Sequence, residues 1–125
     1  MNIYFACSIT GGRACQPIYQ SITRALIADG HEVPTAHLAE TGVMEEEKVI
    51  EPGVVYARDA AWMCAAGALI AEVSVPSHGV GYEIGYALEL GKPVFCLHEQ
   101  GRPVSKMITG NPVATYVNTG PDHYA

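Results

Sequence analysis

The chain has 125 residues, which is the length of one domain and is enough to bury a single hydrophobic core. Hydrophobic residues make up 49% of the chain and charged residues 16%, a balance that excludes disordered and fibrous proteins. The net charge is -6 with only seven Lys and Arg, which argues against nucleic-acid binding because a run of phosphates could not be neutralised. We therefore expect one domain, residues 1–125, which can still bind a small anionic ligand because helix N-termini and hydroxyls hold a phosphate without a basic patch.

The apolar stretches and the cysteines predict a cytoplasmic protein that does not enter a membrane. The longest apolar stretches, such as residues 65–71, are too short to span a bilayer, and the start MNIYFAC lacks the basic region of a signal peptide. The four cysteines form no CxxC pair; they are Cys7, Cys15, Cys64 and Cys96. Their spacing favours reduced thiols over a disulfide framework or a zinc site.

Strand-like and helix-like segments alternate along the chain. A buried strand at 2–7 leads into the glycine turn SITGGR, and a helix at 14–29 ends at Gly30. A weaker strand at 31–38 precedes the acidic stretch 39–53, which indicates a loop or a loose helix. The remaining predicted elements are a helix at 54–66, a strand at 67–73, a helix at 80–90, a strand at 93–97, a short helix at 103–108 and a strand at 113–117.

This alternation predicts a three-layer α/β domain with a five-stranded parallel sheet, of the flavodoxin-like or Rossmann-like kind. We expect the strand order 2-1-3-4-5, with the second strand at an edge because it contains Pro34. In such sheets, ligands bind where the strand order reverses, at the carboxyl ends of strands 1 and 3. The turns that follow these strands are CSITGGR (7–13) and EVSVPSHGVGYE (72–83), so both are expected to border one crevice.

Two carboxylates, Glu83 and Asp59, are candidates for chemistry at this crevice. Glu83 lies near the start of a helix, where an acid can also simply complement the helix dipole. Asp59 lies within YARDAAWM and could equally be an ordinary solvated helix residue. If both reach the crevice, the pair suits glycosidic chemistry, in which one carboxylate attacks or stabilises the sugar carbon and the other handles the proton.

Hydroxyl and imidazole side chains lie in or near the same turns. Ser8 and Ser77 each follow a strand and precede glycines, which suits donors to a phosphate or simple turn formers. Tyr4 lies in a buried strand, where a tyrosine usually belongs to the core. His37 and His78 show no spacing that resembles a metal site. No metal or organic cofactor is expected, because the two carboxylates would supply the chemistry. The absence of G-x-S-x-G and GK[ST] motifs argues against a serine hydrolase and a P-loop kinase.

Four segments resemble the nucleoside 2-deoxyribosyltransferase superfamily and occur in the same order. They are YFACSITGGR, RDAAWM, AEVSVPSHGVGYEIGYAL and PVSKMITG, and the likeness runs from about Asn2 to Gly110. The stretch EVSVPSHGVGYEIG is its most specific part. The pattern is most similar to the branch of 2'-deoxynucleoside 5'-phosphate N-hydrolases.

The resemblance implies roles for individual residues. Glu83 would be the nucleophile that attacks the anomeric carbon, Asp59 would protonate or orient the departing base, and Tyr4 would position the sugar and the nucleophile. The implied phosphate contacts are Ser8, Gly11, Gly12, Arg13 and Ser77, the implied base-side residue is His37, and the serine that reaches the phosphate from the other subunit of a homodimer is Ser105. The expected substrate-binding residues also include Ile9, Thr10, Gly79 and Met107.

The implied reaction is hydrolysis of the N-glycosidic bond of a (deoxy)nucleoside 5'-monophosphate, which gives a free base and (deoxy)ribose 5-phosphate. Two alternatives stay open, namely base exchange by deoxyribosyl transfer and non-enzymatic nucleotide sensing. Thr10 departs from the family pattern, because animal relatives carry an arginine after the Ser-Ile pair. Without that cation, the phosphate affinity and the base preference are both open.

Overall fold

The computed structural model describes residues 1–9, 15–40 and 47–119 of the chain. Strands and helices alternate along these residues, except that no strand is described between the first two α-helices. The strands are β1 (Ile3–Ala6), β2 (Ala68–Glu72), β3 (Val94–Glu99) and β4 (Thr115–Thr119). The helices are α1 (Gln16–Ala28), α2 (Pro52–Ala65), α3 (His78–Glu89) and the single-turn α4 (Lys106–Thr109), and a 3₁₀ helix (Ala36–Ala39) lies between α1 and α2.

The strands form one parallel sheet in the order β1-β2-β3-β4. On the side of β1 that faces away from β2, a single parallel bridge joins Asn2 to Glu32. This bridge is fixed by hydrogen bonds from Ile3 N to Glu32 O at 2.8 Å and from Glu32 N to Met1 O at 3.0 Å. The segment around Glu32 therefore lies where the order 2-1-3-4-5 puts the second strand.

The predicted fold class, an α/β fold with a parallel sheet, is confirmed, but the second strand is shorter than expected. Of the predicted strand 31–38, only the bridge at Glu32 forms. The chain turns at Pro34, whose nitrogen carries no hydrogen for a sheet hydrogen bond, and then enters the 3₁₀ helix. The described part of the sheet thus has four strands where five were expected.

Helices cover both faces of the sheet. On one face, α1 and the 3₁₀ helix pack around Phe5 and Tyr19, whose ring centroids lie 6.2 Å apart in an edge-on arrangement. On the other face, α2 and α3 contribute Met63 and Ile84 to a core that also contains Tyr4. Because side chains alternate along a strand, the neighbours Tyr4 and Phe5 enter opposite layers. This alternation points Tyr4 towards α2 and α3.

The helix α3 ends before Gly91, as the sequence predicts, but it begins two residues earlier than the predicted helix 80–90. Gly91 follows α3 with a φ of 74°, in the left-handed region that glycine adopts without strain. At the other end, the Ser77 Oγ accepts a hydrogen bond from Val80 N at 3.3 Å and caps the helix. The helix α3 therefore starts just beyond the carboxyl end of β2.

Within the described ranges, no helix combines the length and the apolar character that are needed to cross a bilayer. All four cysteines lie in these ranges and all carry free thiols. The cytoplasmic location stays a prediction.

Candidate active site

The candidate site is built around a contact between β1 and α3. The Tyr4 hydroxyl donates a hydrogen bond to Glu83 Oε2. The Tyr4 ring is fully buried among core residues of β2, α2 and α3, so the hydroxyl is held in a fixed position. Tyr4 therefore satisfies both interpretations of its sequence position, because its ring belongs to the core and its hydroxyl meets the candidate nucleophile.

Burial changes the ionisation of both partners. Burial, together with the Glu83 charge, raises the pKa of Tyr4 well above its ordinary value, so the hydroxyl keeps its proton. Burial raises the pKa of Glu83 to about 7; the Tyr4 hydrogen bond lowers this pKa, the Asp59 charge raises it and the Arg58 charge lowers it. Near neutral pH, the Glu83 carboxyl is therefore about half ionised.

Asp59 belongs to a polar network on α2. Arg58 Nε donates to Asp59 Oδ1 at 2.8 Å, and Arg58 Nη2 donates to Glu47 Oε1 at 3.1 Å. The Arg58 guanidinium carbon lies 4.9 Å from the centre of the Trp62 ring, within the range of a cation–π contact. Burial lowers the pKa of Arg58, but Asp59 and Glu47 raise it by more, so the guanidinium stays charged.

His37 joins this network through Glu47. The His37 Nε2 lies 3.3 Å from Glu47 Oε1, which is the same oxygen that accepts from Arg58. The His37 ring also lies edge-on to Trp62, with ring centroids 6.0 Å apart. The structure therefore puts the histidine of the 3₁₀ helix in one network with Asp59.

A groove of about 700 Å³ runs along another side of α3 and is lined by Ser77, Ser105 and Met107. Gly81 and Gly85 also line this groove. Among the described residues, and leaving aside the helix backbone and the two chain neighbours, no atom lies within 4 Å of where a Cβ would stand on either glycine. Glu83 is two residues from each glycine, a step of about 200° around an α-helix. The groove and the Tyr4–Glu83 contact therefore lie on different sides of α3.

The other predicted substrate-binding residues are placed individually. Ser8 is fully buried just beyond β1, and Ile9 is half-buried against the core on the α1 side. Gly79 is exposed in the first turn of α3, where a Cβ would lie 3.8 Å from Ser77 Oγ. The predicted residues that lie outside the described ranges are Thr10, Gly11, Gly12 and Arg13.

Sequence reasoning missed three residues of the network, namely Arg58, Trp62 and Glu47. A signal was present for the first two. Arg58 directly precedes Asp59 and stands four residues before Trp62, so Arg58 and Trp62 share one side of a helix. No sequence signal marked Glu47, because its contact with Arg58 depends on how the acidic stretch meets α2.

The pKa of Glu83 predicts a change in stability that does not depend on any activity. In the folded protein this carboxyl titrates at about 7, whereas in an unfolded chain it titrates at about 4.3. Proton binding therefore favours the folded state, and this stabilisation is fully present below about pH 4 and is lost as the pH rises through 7. Relative to wild type, Glu83→Gln should gain roughly 3–4 kcal/mol in the free energy of unfolding between about pH 4 and 8.5.

Urea titrations of wild type and Glu83→Gln at both pH values measure this gain. The matched control is Glu89→Gln, since Glu89 is an exposed glutamate on the same helix. The free energies of unfolding of Glu83→Gln and wild type are compared at both pH values. If their difference is the same at both, the pKa of Glu83 is not raised in the folded protein.

The comparisons with known proteins agree on one family. A model of the family described as Nucleoside 2-deoxyribosyltransferase matches residues 3–119. A protein of Methanococcoides burtonii, named provisionally as 2'-deoxynucleoside 5'-phosphate N-hydrolase 1, is 41% identical over 114 residues, which cover 91% of this chain and 93% of that protein. The 5-hydroxymethyl-dUMP N-hydrolase of Mus musculus is 42% identical over 113 residues, which cover 87% of this chain and 65% of the longer mouse protein.

A solved structure supports the same fold. The CMP N-glycosidase of Clostridium botulinum superposes with a TM-score of 0.69 at 19% sequence identity, over 99% of this chain and 91% of that chain. At this identity the likeness concerns the fold alone. Because the family model spans nearly the whole chain and relatives above 40% identity align along most of it, this chain belongs to the nucleoside 2-deoxyribosyltransferase family.

Proposed function

We propose that the protein hydrolyses the N-glycosidic bond of (deoxy)nucleoside 5'-monophosphates and releases a free base and (deoxy)ribose 5-phosphate. The observation that carries this proposal is the Tyr4–Glu83 contact with a second carboxyl group, Asp59, beside it. Two carboxyl groups in different environments are what glycoside hydrolysis requires. The relatives named as nucleotide N-hydrolases support the substrate class.

In the proposed reaction, the ionised Glu83 attacks C1' of the sugar, and the electron pair of the N-glycosidic bond moves to the base. Tyr4 donates to Glu83 Oε2, which leaves Oε1 to form the ester bond. The base leaves as it takes up a proton that the Asp59 carboxylate orients towards it. Water then attacks C1' of the ester, its proton replaces the one given to the base, and the Glu83 carboxylate is released.

A chromatographic screen for base release tests the function directly. Purified protein is incubated with ribo- and deoxyribonucleoside 5'-monophosphates and with the matching nucleosides. Release of a free base from at least one monophosphate is the expected result. If no nucleotide releases base while binding is detected by calorimetry, the proposal is wrong and nucleotide sensing takes its place.

Base exchange is a second candidate, because the matching family model is described by that transfer reaction. In base exchange, a second base attacks C1' of the glycosyl ester in place of water. Adding a different free base to the screen separates the two reactions. A new nucleoside or nucleotide that carries the added base would favour transfer, and a free sugar phosphate would favour hydrolysis.

We expect Ser77 to give the 5'-monophosphate its advantage over the nucleoside. Its Oγ already accepts from Val80 N, so the hydroxyl hydrogen can be donated to a phosphate at the start of α3. One lost hydrogen bond to a charged group costs roughly 1.5–3 kcal/mol. Ser77→Ala should therefore lower kcat/KM for the nucleotide by roughly ten- to a hundredfold and barely change nucleoside cleavage.

The comparison of the two substrates also controls for the loss of the helix cap. Removing a serine cap costs about 1 kcal/mol of stability. Any effect of this loss on the enzyme would change the rates with nucleotide and nucleoside alike. Ser21→Ala, at an exposed position of α1, is the matched control and should leave both rates unchanged. An equal loss for nucleotide and nucleoside in Ser77→Ala would mean that Ser77 only caps the helix.

We also propose that the protein is a homodimer in which Ser105 reaches the phosphate of the neighbouring subunit. Met107 lies in α4, two residues after Ser105, and its large apolar side chain is 84% exposed to water. Gly81 and Gly85 leave room on the groove side of α3 for the backbone of another chain to approach closely. In a two-fold dimer, each subunit would give its Ser105 to the site of the other.

A further inference from the structure

We infer that Arg58 is a positioning residue of the proposed active site, which holds the Asp59 carboxylate in place and supplies positive charge beside Asp59 and Glu83. The inference rests on the proposed function. It adds a residue that contacts other side chains of the protein and acts through them. Arg58 is half-buried, and its guanidinium bridges two carboxylates.

The first part of the inference rests on geometry. Nε and Nη2 of the Arg58 guanidinium donate to Asp59 at 2.8 Å and to Glu47 at 3.1 Å. The Trp62 ring supports the same guanidinium at 4.9 Å. A planar group that is held on three sides has little freedom to turn, so the Asp59 oxygen that accepts from it is fixed as well.

The second part rests on the balance of charge around Glu83. The described groups that act on it are the neutral hydroxyl of Tyr4 from β1, the negative Asp59 and the positive Arg58 from α2. Further out, Glu47 adds a negative charge and His37 a group that can be neutral or positive. Negative charges near a buried carboxyl oppose its ionisation. The phosphate of a bound substrate would add further negative charge near Glu83. Arg58 is the cation in this described set that offsets them.

Charge and geometry can be separated with two substitutions. Arg58→Gln removes the charge, so Glu83 should titrate about 0.5–1 pH unit higher than in wild type. Arg58→Lys keeps the charge, but one ammonium group cannot reproduce the planar fork that reaches both Asp59 and Glu47. In Arg58→Lys, Glu83 should titrate close to its wild-type value, while kcat falls roughly tenfold with little change in KM.

The experiment follows the Glu83 carboxyl by carbon NMR in protein with labelled glutamate side chains. The Glu83 signal is identified by its absence from Glu83→Gln. Its titration is recorded in wild type, Arg58→Gln and Arg58→Lys, with Arg24→Gln as the control because Arg24 is exposed on α1. The acid limb of the kcat/KM profile is measured for the same proteins and should move with the titration.

The outcomes separate this inference from the proposed function. If Glu83 titrates in folded Arg58→Gln as it does in wild type, Arg58 does not supply the charge that we assign to it. If Arg58→Lys keeps the wild-type kcat, Arg58 does not position Asp59, and this result decides the matter even if Arg58→Gln fails to fold. If wild type releases no base from any nucleotide, the proposed function is wrong, while the NMR titration still reports the effect of Arg58 on Glu83.

Discussion

Replacing Glu83 by Gln should leave a folded protein that has lost base release by a factor on the order of 10³ or more, as is typical for a member of a catalytic unit. The amide keeps an oxygen that can accept from the Tyr4 hydroxyl, so the contact between β1 and α3 can persist. The amide cannot form the glycosyl ester, because it is a far weaker nucleophile than the carboxylate. Initial rates of base release from the best nucleotide of the screen measure the loss.

Two measurements accompany this result. Glu89→Gln, at the exposed end of the same helix, should retain the wild-type rate and shows that removing a glutamate charge from α3 is not itself harmful. In wild type, methanol added during turnover should give a methyl glycoside of retained configuration, since two successive inversions at C1' restore the starting configuration. Unchanged turnover in folded Glu83→Gln would return Glu83 to the role of a helix-dipole residue, and an inverted methyl glycoside would rule out the ester.

The stability prediction and the activity prediction for Glu83 have a common cause. Burial raises the pKa of Glu83 to about 7, so the folded protein keeps an acid where its charge is poorly solvated. The Glu83→Gln protein should therefore be more stable than wild type in alkaline solution, and it should be inactive. A residue that improves stability when it is replaced is typical of functional sites, where the geometry needed for chemistry opposes the best packing.

Most of the fold followed from periodicity, and the exception has a local cause. Strands β1 to β3 are short, largely apolar runs that can be recognised without tertiary information, whereas β4 contains more polar residues and lies two residues further along the chain than the predicted strand 113–117. The segment 31–38 shares that pattern but forms only the bridge at Glu32. The proline in this segment cannot donate to the sheet, and the sequence alone does not say how many residues on either side of it still pair.

The candidate site was predicted in part for a similar reason. Glu83 was identifiable as a candidate because helix starts that follow strand ends converge at the carboxyl edge of a parallel sheet, whereas the role of Tyr4 was implied only by the family resemblance. Arg58 was missed although its spacing to Trp62 was visible, because a helical pattern does not specify the rotamer that turns its long side chain towards Asp59 and Glu47. Glu47 escaped because its partner on α2 is set by tertiary packing.

The proposed subunit arrangement predicts one further large effect, which is the recovery of activity from two inactive proteins. Ser105→Asp should fold, because aspartate caps a helix as well as serine does and Ser105 accepts from Met107 N at the start of α4. Its charge should repel the substrate phosphate and leave little activity. Glu83→Gln lacks the nucleophile and should be inactive on its own.

In a dimer of one Glu83→Gln chain and one Ser105→Asp chain, one site carries both defects and the other carries neither. Random exchange makes half of the dimers mixed, so roughly a quarter of all sites should regain wild-type character. The two variants are mixed under conditions of subunit exchange, which mass spectrometry verifies, and base release is followed. Ser77 and Ser105 of one chain line the same groove, so a contact within the chain is the competing arrangement. In that case each Ser105→Asp chain spoils its own site, and activity would stay at the level of the separate variants even after complete exchange.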